Sequence, residues 1–167
     1  CPSLSQRPGG PYVDPTGHDY ADNAMRFGFL SHVAALLGTN QSPVEGWQAD
    51  VVHANDWPCA LAPLYLAQAR ERNAHEAVAA SVVTIHNLAF QGLFPMEQPD
   101  RLEIPSHWRG MDGVEFWGQV SMLKAGLQFA EAITTVSPNY AREIQTEEFG
   151  VGLDGRRPEQ GGQLAGG

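Results

Sequence analysis

Polar side chains follow three short, β-branched segments of the sequence, at the points where these segments end. In chain order they are His53, Asn55 and Asp56, then His86 and Asn87, and finally Ser137. The carboxyl ends of parallel strands meet at one edge of a sheet, and α/β proteins bind their ligands at that edge. We therefore expect these groups to gather at a ligand-binding site.

A simpler explanation is available for part of this set. Helix starts favour Asn, Asp and Ser as capping residues, so capping alone would account for Asn55, Asp56 and Ser137. No helix pattern follows His86 and Asn87; a loop with Gly92 does. His86 also has a structural interpretation, as a hydrogen-bonded histidine without a function.

The sequence gives little support to other kinds of site. His53, Asp56 and His86 form a ligand set that zinc accepts, but their spacing matches no strong metal motif, and the sequence predicts no metal site. The Gly-x-Ser-x-Gly elbow and the P-loop are absent, and so is a Gly-x-Gly-x-x-Gly fingerprint that follows a predicted strand, because the match at 150–155 comes after a predicted helix. These absences disfavour an α/β-hydrolase, a dehydrogenase and an NTPase, and no cofactor is predicted.

Hydrophobic periodicity predicts the elements that would position the polar groups. Asp22 is placed as the N-cap of the first helix and Gly38 as its stop. The predicted strands are 50–54, 81–85 and 132–136, and the predicted helices are 23–37, 56–72, 119–131 and 138–146. Strands that alternate with helices indicate an α/β fold, a Rossmann-like parallel sheet with helices on both faces.

Composition narrows the class of protein. The 167 residues suit one domain, and 43% of them are hydrophobic. A net charge of −9 argues against nucleic acid or an anionic membrane as a partner, because phosphates would be repelled. We expect no membrane span, and a cytoplasmic location. The cysteines, Cys1 and Cys59, predict neither a disulfide framework nor a zinc site.

Two further features are open to more than one interpretation. Lys124 lies within the predicted helix 119–131, either as a surface lysine or as a cation or hydrogen-bond donor near the sheet edge. Four aromatic residues could stack on the C–H faces of sugars, although core packing is the commoner fate of such side chains. They are Tyr12, Trp108, Phe116 and Trp117.

Ordered motifs from about residue 7 to residue 155 resemble one family, the bacterial glycogen synthases and plant starch synthases of glycosyltransferase family five. The segments that carry the resemblance are Arg-Pro-Gly-Gly-Pro-Tyr at 7–12, Tyr-Ala-Asp-Asn-Ala-Met-Arg-Phe at 20–27, Asp-Val-Val-His-Ala-Asn-Asp-Trp at 50–57, Thr-Ile-His-Asn-Leu-Ala-Phe-Gln-Gly at 84–92, Glu-Phe-Trp-Gly-Gln-Val-Ser-Met-Leu-Lys-Ala-Gly at 115–126, Thr-Val-Ser-Pro-Asn-Tyr-Ala-Arg-Glu at 135–143 and Glu-Phe-Gly-Val-Gly-Leu-Asp-Gly at 148–155. Each is modest alone, whereas the ordered set is specific.

The resemblance implies a GT-B architecture, with the active site in a cleft between two Rossmann-like domains. It implies transfer of glucose from ADP-glucose to the non-reducing end of an α-1,4-glucan, with retention at the anomeric carbon and without a metal. By the same resemblance His86 is the catalytic residue beside the transferred glucose. Asn87 would bind the sugar, and Asp56 and Tyr12 would line the same cleft.

The sequence also departs from the family pattern. The family's Lys-x-Gly-Gly-Leu loop is absent, Asn55 and Pro58 replace usual histidines, and Phe90 replaces a usual tyrosine. We therefore expect residues 1–155 to form part of the N-terminal domain and residues 156–167 a Gly-rich tail or truncated end. The missing C-terminal domain would be a partner, and this chain would be inactive alone. The alternatives are a non-catalytic glucan-binding module or a truncated product without function.

Overall fold

The computed structural model describes residues 6–148 and 150–153, and the backbone of 164–166. Its helices are α1 (Asn23–Leu37), α2 (Asp56–Cys59), α3 (Ala62–Arg72), α4 (Met122–Phe129) and α5 (Pro138–Glu143). Its strands are β1 (Val51–Asn55), β2 (Ala80–Ile85), β3 (Leu93–Pro95), β4 (Glu115–Phe116), β5 (Gln119–Ser121), β6 (Ala132–Thr135) and β7 (Leu164–Gly166). A 3-10 turn spans Ser106–Trp108.

The main sheet is parallel and has the order β1-β2-β6-β7. Its first three strands lie within a residue of the predicted segments, and helices connect them. The α/β class and the parallel sheet are therefore confirmed. β7 lies in the segment predicted as a Gly-rich tail; residues 156–163 and 167 of that segment are outside the described residues.

The two faces of this sheet differ. Side chains alternate along β1 between exposed and buried, and Val52, Ala54 and Val83 on one face are buried beneath the helices. On the opposite face, His53 and Thr84 are exposed or half-buried. The near-continuous apolar strands suggested burial on both sides, but within the described residues this face is open.

A second, antiparallel sheet of order β3-β5-β4 is a feature that the sequence analysis missed. The predicted helix 119–131 is wrong at both ends, because its first three residues form β5 and the helix itself is Met122–Phe129. Val120 is fully buried, and buried apolar residues occur in helices and strands alike, so its apolar character did not separate helix from strand.

Two helices differ from their predicted form. The helix predicted over 56–72 is interrupted at Ala60 and Leu61, which separate α2 from α3. In α1, the large apolar residue Leu30 is exposed, whereas Gly28 and Ser31 are buried. A Cβ on Gly28 would lie 2.4 Å from the Leu102 side chain, so Gly28 permits the close approach of Leu102 to the helix.

Candidate functional site

Asp56 and His86 meet at the carboxyl edge of the parallel sheet. One carboxylate oxygen of Asp56 accepts the backbone N–H of His86 at 2.7 Å, and the other lies 2.9 Å from the ring atom Nδ1. The side chains are 30% and 50% exposed, respectively, so a ligand can reach the pair. The carboxylate thus fixes the backbone and the ring of His86 together.

The topology of the sheet places these residues side by side. β1 and β2 are parallel neighbours with Asn55 opposite Thr84, so Asp56 and His86 follow strands that end at the same level. Asp56 has a φ of 53°, a left-handed conformation that Asp adopts more readily than most residues. This turn begins α2 at the strand end, where the Asp56 carboxylate bonds to His86 on the neighbouring strand.

The capping interpretation is confirmed for one residue of three. Ser137 accepts the Tyr140 N–H at 3.0 Å, as an N-cap should. Asn55 makes no side-chain capping bond, and the Asp56 carboxylate bonds to His86 instead. The polar character of Asp56 is therefore explained by the strand-end site and not by its helix.

Asn87 lies next to His86 and is exposed. Its carboxamide oxygen accepts the Ala89 N–H at 3.0 Å, which makes a local turn and leaves the NH2 group outside that bond. The following residue, Leu88, donates its N–H to the Tyr140 hydroxyl at 2.9 Å. The loop after His86 is consequently anchored to α5, and Asn87 is held beside the Asp56–His86 pair.

Tyr12 is attached to the start of α1 by several bonds. Its carbonyl accepts from the Asn23 side chain at 2.7 Å, and Arg26 donates to the neighbouring Pro11 carbonyl at 3.1 Å.

Arg7 forms a two-bond ion pair with Asp22 at 2.6 and 2.7 Å. Asp22 is at the predicted N-cap position of α1, but its side chain makes no capping bond and binds Arg7 instead.

Trp57 connects Tyr12 with the Asp56–His86 pair. It directly follows Asp56, and its ring centroid lies 5.4 Å from that of Tyr12 and 6.0 Å from that of Phe94. A Cβ on Gly92 would lie 2.4 Å from the Trp57 ring. The positioning roles of Trp57 and Tyr140 were not predicted from the sequence. Each is an aromatic residue inside a motif, and core packing also explains such a residue.

The third member of the considered metal set lies apart from this site. His53 Nε2 bonds to the Thr84 hydroxyl at 2.6 Å, and Thr84 bonds in turn to the Thr134 hydroxyl. These side chains form a polar row across the open face of the sheet, whereas Asp56 and His86 lie beyond the strand ends. Among the described residues no group of three or more His, Cys, Asp or Glu side chains could hold a metal ion.

Lys124 is buried and Cys59 is half-buried. The interpretation of Lys124 as a surface lysine is wrong, because the residue is 1% exposed. Its ammonium group donates to the Met111 and Glu115 carbonyls, which fixes the loop before β4. Cys59 is half-buried, and burial raises the pKa of its thiol. A raised thiol pKa disfavours a nucleophilic role for Cys59.

The four aromatic residues considered for sugar stacking divide into two groups. Trp108 packs against Phe129 with ring centroids 4.5 Å apart, and Phe116 packs against the core. Tyr12 and Trp117 are exposed, Trp117 to 84%. Two of the four rings thus remain accessible to a ligand.

Within the described residues no helix is long and apolar enough to cross a membrane.

The parallel sheet and its polar strand ends define an α/β domain of the class that binds ligands at the carboxyl edge. A family model described as the starch synthase catalytic domain matches residues 1–157. The chain belongs to this family.

Similar proteins support the same assignment. The glycogen synthase of Paracidovorax citrulli is 61% identical over 99% of this chain and 33% of its own length. That of Aromatoleum aromaticum is 51% identical over 99% of this chain and 32% of its own length. The chain thus spans about a third of these relatives.

A solved structure shares the fold. The catalytic domain of starch synthase IV from Arabidopsis thaliana, bound to ADP and acarbose, superposes with a TM-score of 0.67 at 28% identity. The match covers 82% of this chain and 28% of that one.

Proposed function

We propose that this chain supplies the acceptor-side part of a glycogen synthase active site. In the reaction, the bond between the anomeric carbon of glucose and the diphosphate of ADP-glucose breaks. A bond to the terminal 4-hydroxyl of an α-1,4-glucan forms with retention, and ADP and a proton are released. The observation that carries this proposal is the Asp56–His86 pair at the sheet edge of a starch-synthase domain.

His86 is the proposed catalytic residue and acts on the transferred glucose. Because Asp56 accepts from both the backbone N–H and the ring of His86, the ring is oriented before substrate arrives. Nδ1 then carries the proton, and Nε2 is left to accept a glucose hydroxyl. The adjacent Asn87 and the exposed Tyr12 are the proposed substrate-binding neighbours. The Asp56 carboxylate favours positive charge developing at the anomeric carbon.

The departing diphosphate needs positive groups that this part of the protein supplies poorly. The chain has a net charge of −9, and the residue that fixes His86 is itself an anion. We propose that a C-terminal domain provides the cations, with residues 1–155 as part of the N-terminal domain. This arrangement leaves the chain inactive alone. The proposed location is cytoplasmic, since the similar proteins are bacterial glycogen synthases.

A hybrid enzyme tests this proposal. The matching third of the Paracidovorax citrulli glycogen synthase would be replaced with this chain, which is 61% identical to it. We expect the hybrid to incorporate labelled glucose from ADP-glucose into glycogen, and the isolated chain to incorporate none. A folded hybrid without transfer would contradict the proposal. Incorporation by the isolated chain that is lost in His86→Ala would instead show that the chain has a complete site.

A second candidate function is glucan binding without catalysis. The observation that favours glucan binding without catalysis is the length of the chain, which spans about a third of the relatives it matches. Affinity electrophoresis in gels that contain glycogen separates this function from a product without function. Retarded migration of the isolated chain supports glucan binding, and unchanged mobility contradicts it.

A further inference from the structure

The tip of the hairpin between β4 and β5 carries an unusual residue. Phe116 pairs with Gln119, so Trp117 and Gly118 form a two-residue turn, and both have positive φ, 49° and 78°. Such turns favour Asn-Gly or Asp-Gly, because a bulky side chain is strained in the left-handed region. Trp117 is nevertheless 84% exposed, so burial of its ring does not compensate for the strain.

The strained turn is held rigidly from beneath. The Glu115 carboxylate accepts the Gly118 N–H at 2.7 Å, and Lys124 binds the Glu115 carbonyl from the core. The Phe116 ring meets the Trp117 ring edge-on, with centroids 6.3 Å apart. Trp117 is therefore presented on a fixed support instead of on a mobile loop.

The hairpin tip adjoins the loop that leaves the Asp56–His86 pair. A Cβ on Gly152 would lie 3.5 Å from Trp117 Nε1, and the preceding Val151 accepts a hydrogen bond from the Gln91 side chain. Gln91 lies five residues after His86. Of the four described non-glycine residues with positive φ, Asp56, Val151 and Trp117 belong to this connected region. Backbone strain of this kind clusters at ligand sites.

We propose that Trp117 is a stacking platform for a glucose unit of the acceptor glucan, an inference that rests on the proposed function. An indole face matches the C–H face of a pyranose. The charge of the hairpin selects between the two substrates, because the Glu115 carboxylate repels a nucleotide diphosphate and leaves a neutral glucan unaffected. The platform therefore binds the acceptor chain and not the donor.

The test uses the purified chain with maltoheptaose as the acceptor probe and ADP as the nucleotide probe. Indole N–H signals in NMR spectra report on each of the four tryptophans separately. We expect saturable shifts of the Trp117 signal with maltoheptaose and none with ADP. A Trp117 signal that responds to ADP alone, or to neither probe, overturns the proposal.

Substitution of Trp117 by Asn separates binding from folding. Asn-Gly is the preferred pair for this turn, so Trp117→Asn should unfold at the same temperature as the wild type or higher. We expect it to bind maltoheptaose roughly fivefold or more weakly. Trp117→Tyr should retain most of the affinity. The matched control is Trp47→Asn, at a half-exposed tryptophan in another loop, and it should bind within about twofold of the wild type.

The hybrid enzyme distinguishes failure of this inference from failure of the proposed function. In the hybrid, Trp117→Asn should raise KM for glycogen and leave KM for ADP-glucose unchanged. An active hybrid whose KM for glycogen is unaltered by Trp117→Asn overturns the platform and leaves the proposed function intact. A folded hybrid without transfer contradicts the proposed function itself.

Discussion

Asp56 gives the strand-end site its geometry at the scale of single residues. Its backbone is left-handed, with a φ of 53°, and its carboxylate makes two bonds to His86 at the end of the neighbouring strand. Asn tolerates the same conformation, whereas most other residues would be strained there. The charge of Asp56 can therefore be removed without disturbing the backbone.

Replacement of Asp56 by Asn should reverse the tautomer of His86. The carboxylate accepts from Nδ1–H, whereas the amide NH2 group of Asn would donate to Nδ1 and move the ring proton to Nε2. Nitrogen NMR of the His86 ring distinguishes the two tautomers directly. His53, which bonds to Thr84, should keep its own signal in the variant and is the internal control. An unchanged His86 tautomer in Asp56→Asn would contradict this account.

Sequence alone predicted that Asp56 and His86 would meet at this edge, but it also placed there His53, which lies on the open face of the sheet. Because strand ends and parallel pairing can be inferred from periodicity, the proximity of Asp56 and His86 was predictable. The direct bond between Asp56 and His86 was not predictable, because it depends on a positive φ at Asp56. Asp tolerates this conformation but does not require it. The substrate contacts of Tyr12, Asp56 and Asn87 stay predictions.

At the scale of elements, Gly92 has a packing role where the loop before β3 passes over Trp57. It has a φ of +62°, and a Cβ would lie 2.4 Å from the Trp57 ring. We expect Gly92→Ala to destabilise the fold by about 2–4 kcal/mol, from backbone strain and overpacking together. Urea unfolding followed by circular dichroism measures the change.

Gly46→Ala is the matched control for Gly92→Ala. Gly46 has a similar φ of +69°, but a Cβ at this position would have no neighbouring atom within 4 Å. Only backbone strain of about 1 kcal/mol should result. If the two variants lose the same free energy of unfolding, contact with the Trp57 ring does not contribute to the destabilisation.

The ion pair between Arg7 and Asp22 joins the first loop to α1 and should make stability depend on pH. The hydrogen bond from Arg7 lowers the pKa of Asp22. A carboxyl group whose folded pKa is depressed contributes stability above its unfolded pKa, about 3.9, and loses it as pH falls through the folded pKa. The pair therefore stabilises the fold near pH 7 and not in strong acid.

Asp22→Asn should lower the melting temperature at pH 7 and match the wild type at the acid end of the range. Asp22 is 43% exposed, so solvent screening limits the effect to about 1 kcal/mol or less. Asp19→Asn, in the same segment, is the control and should show little difference. If Asp22→Asn lowers the melting temperature equally at pH 7 and at pH 2, the ion pair is not the cause of the change.

The elements differ in how well periodicity predicts them. β1, β2 and β6 are apolar, β-branched and bounded by polar caps, and their predicted bounds are nearly those observed. β5 was not predicted, because its three residues continue without interruption into the buried helix α4. The sequence signal for the hairpin of β4 and β5 was the Trp117-Gly118 turn. This turn is rare because tryptophan does not favour positive φ.

The single lysine of the whole molecule offers a probe of its stability. Lys124 is the only lysine in the sequence and is 1% exposed, with its ammonium group bonded to two carbonyls. An amine-reactive reagent should modify Lys124 only when α4 detaches from the core. We expect the modification to be slower than that of a fully exposed lysine by at least about 10³-fold.

The variant Gln41→Lys supplies an exposed lysine for comparison in the same molecule. Mass spectrometry of the labelled peptides would follow both sites. Urea should accelerate the modification of Lys124 in parallel with global unfolding and leave the added lysine almost unaffected. Equal rates at the two sites in native buffer would show that the chain does not form this core.

The central claim for the whole molecule is that Asp56 and His86 act as one unit in glucose transfer. The most direct measurement is kcat/KM for glucose incorporation by the hybrid enzyme with Asp56→Asn, His86→Ala and both substitutions together. We predict a loss of about 10²-fold or more for each single variant, and a double variant no slower than the worse single one. Losses that multiply, or an Asp56→Asn variant with the full rate, would contradict the account.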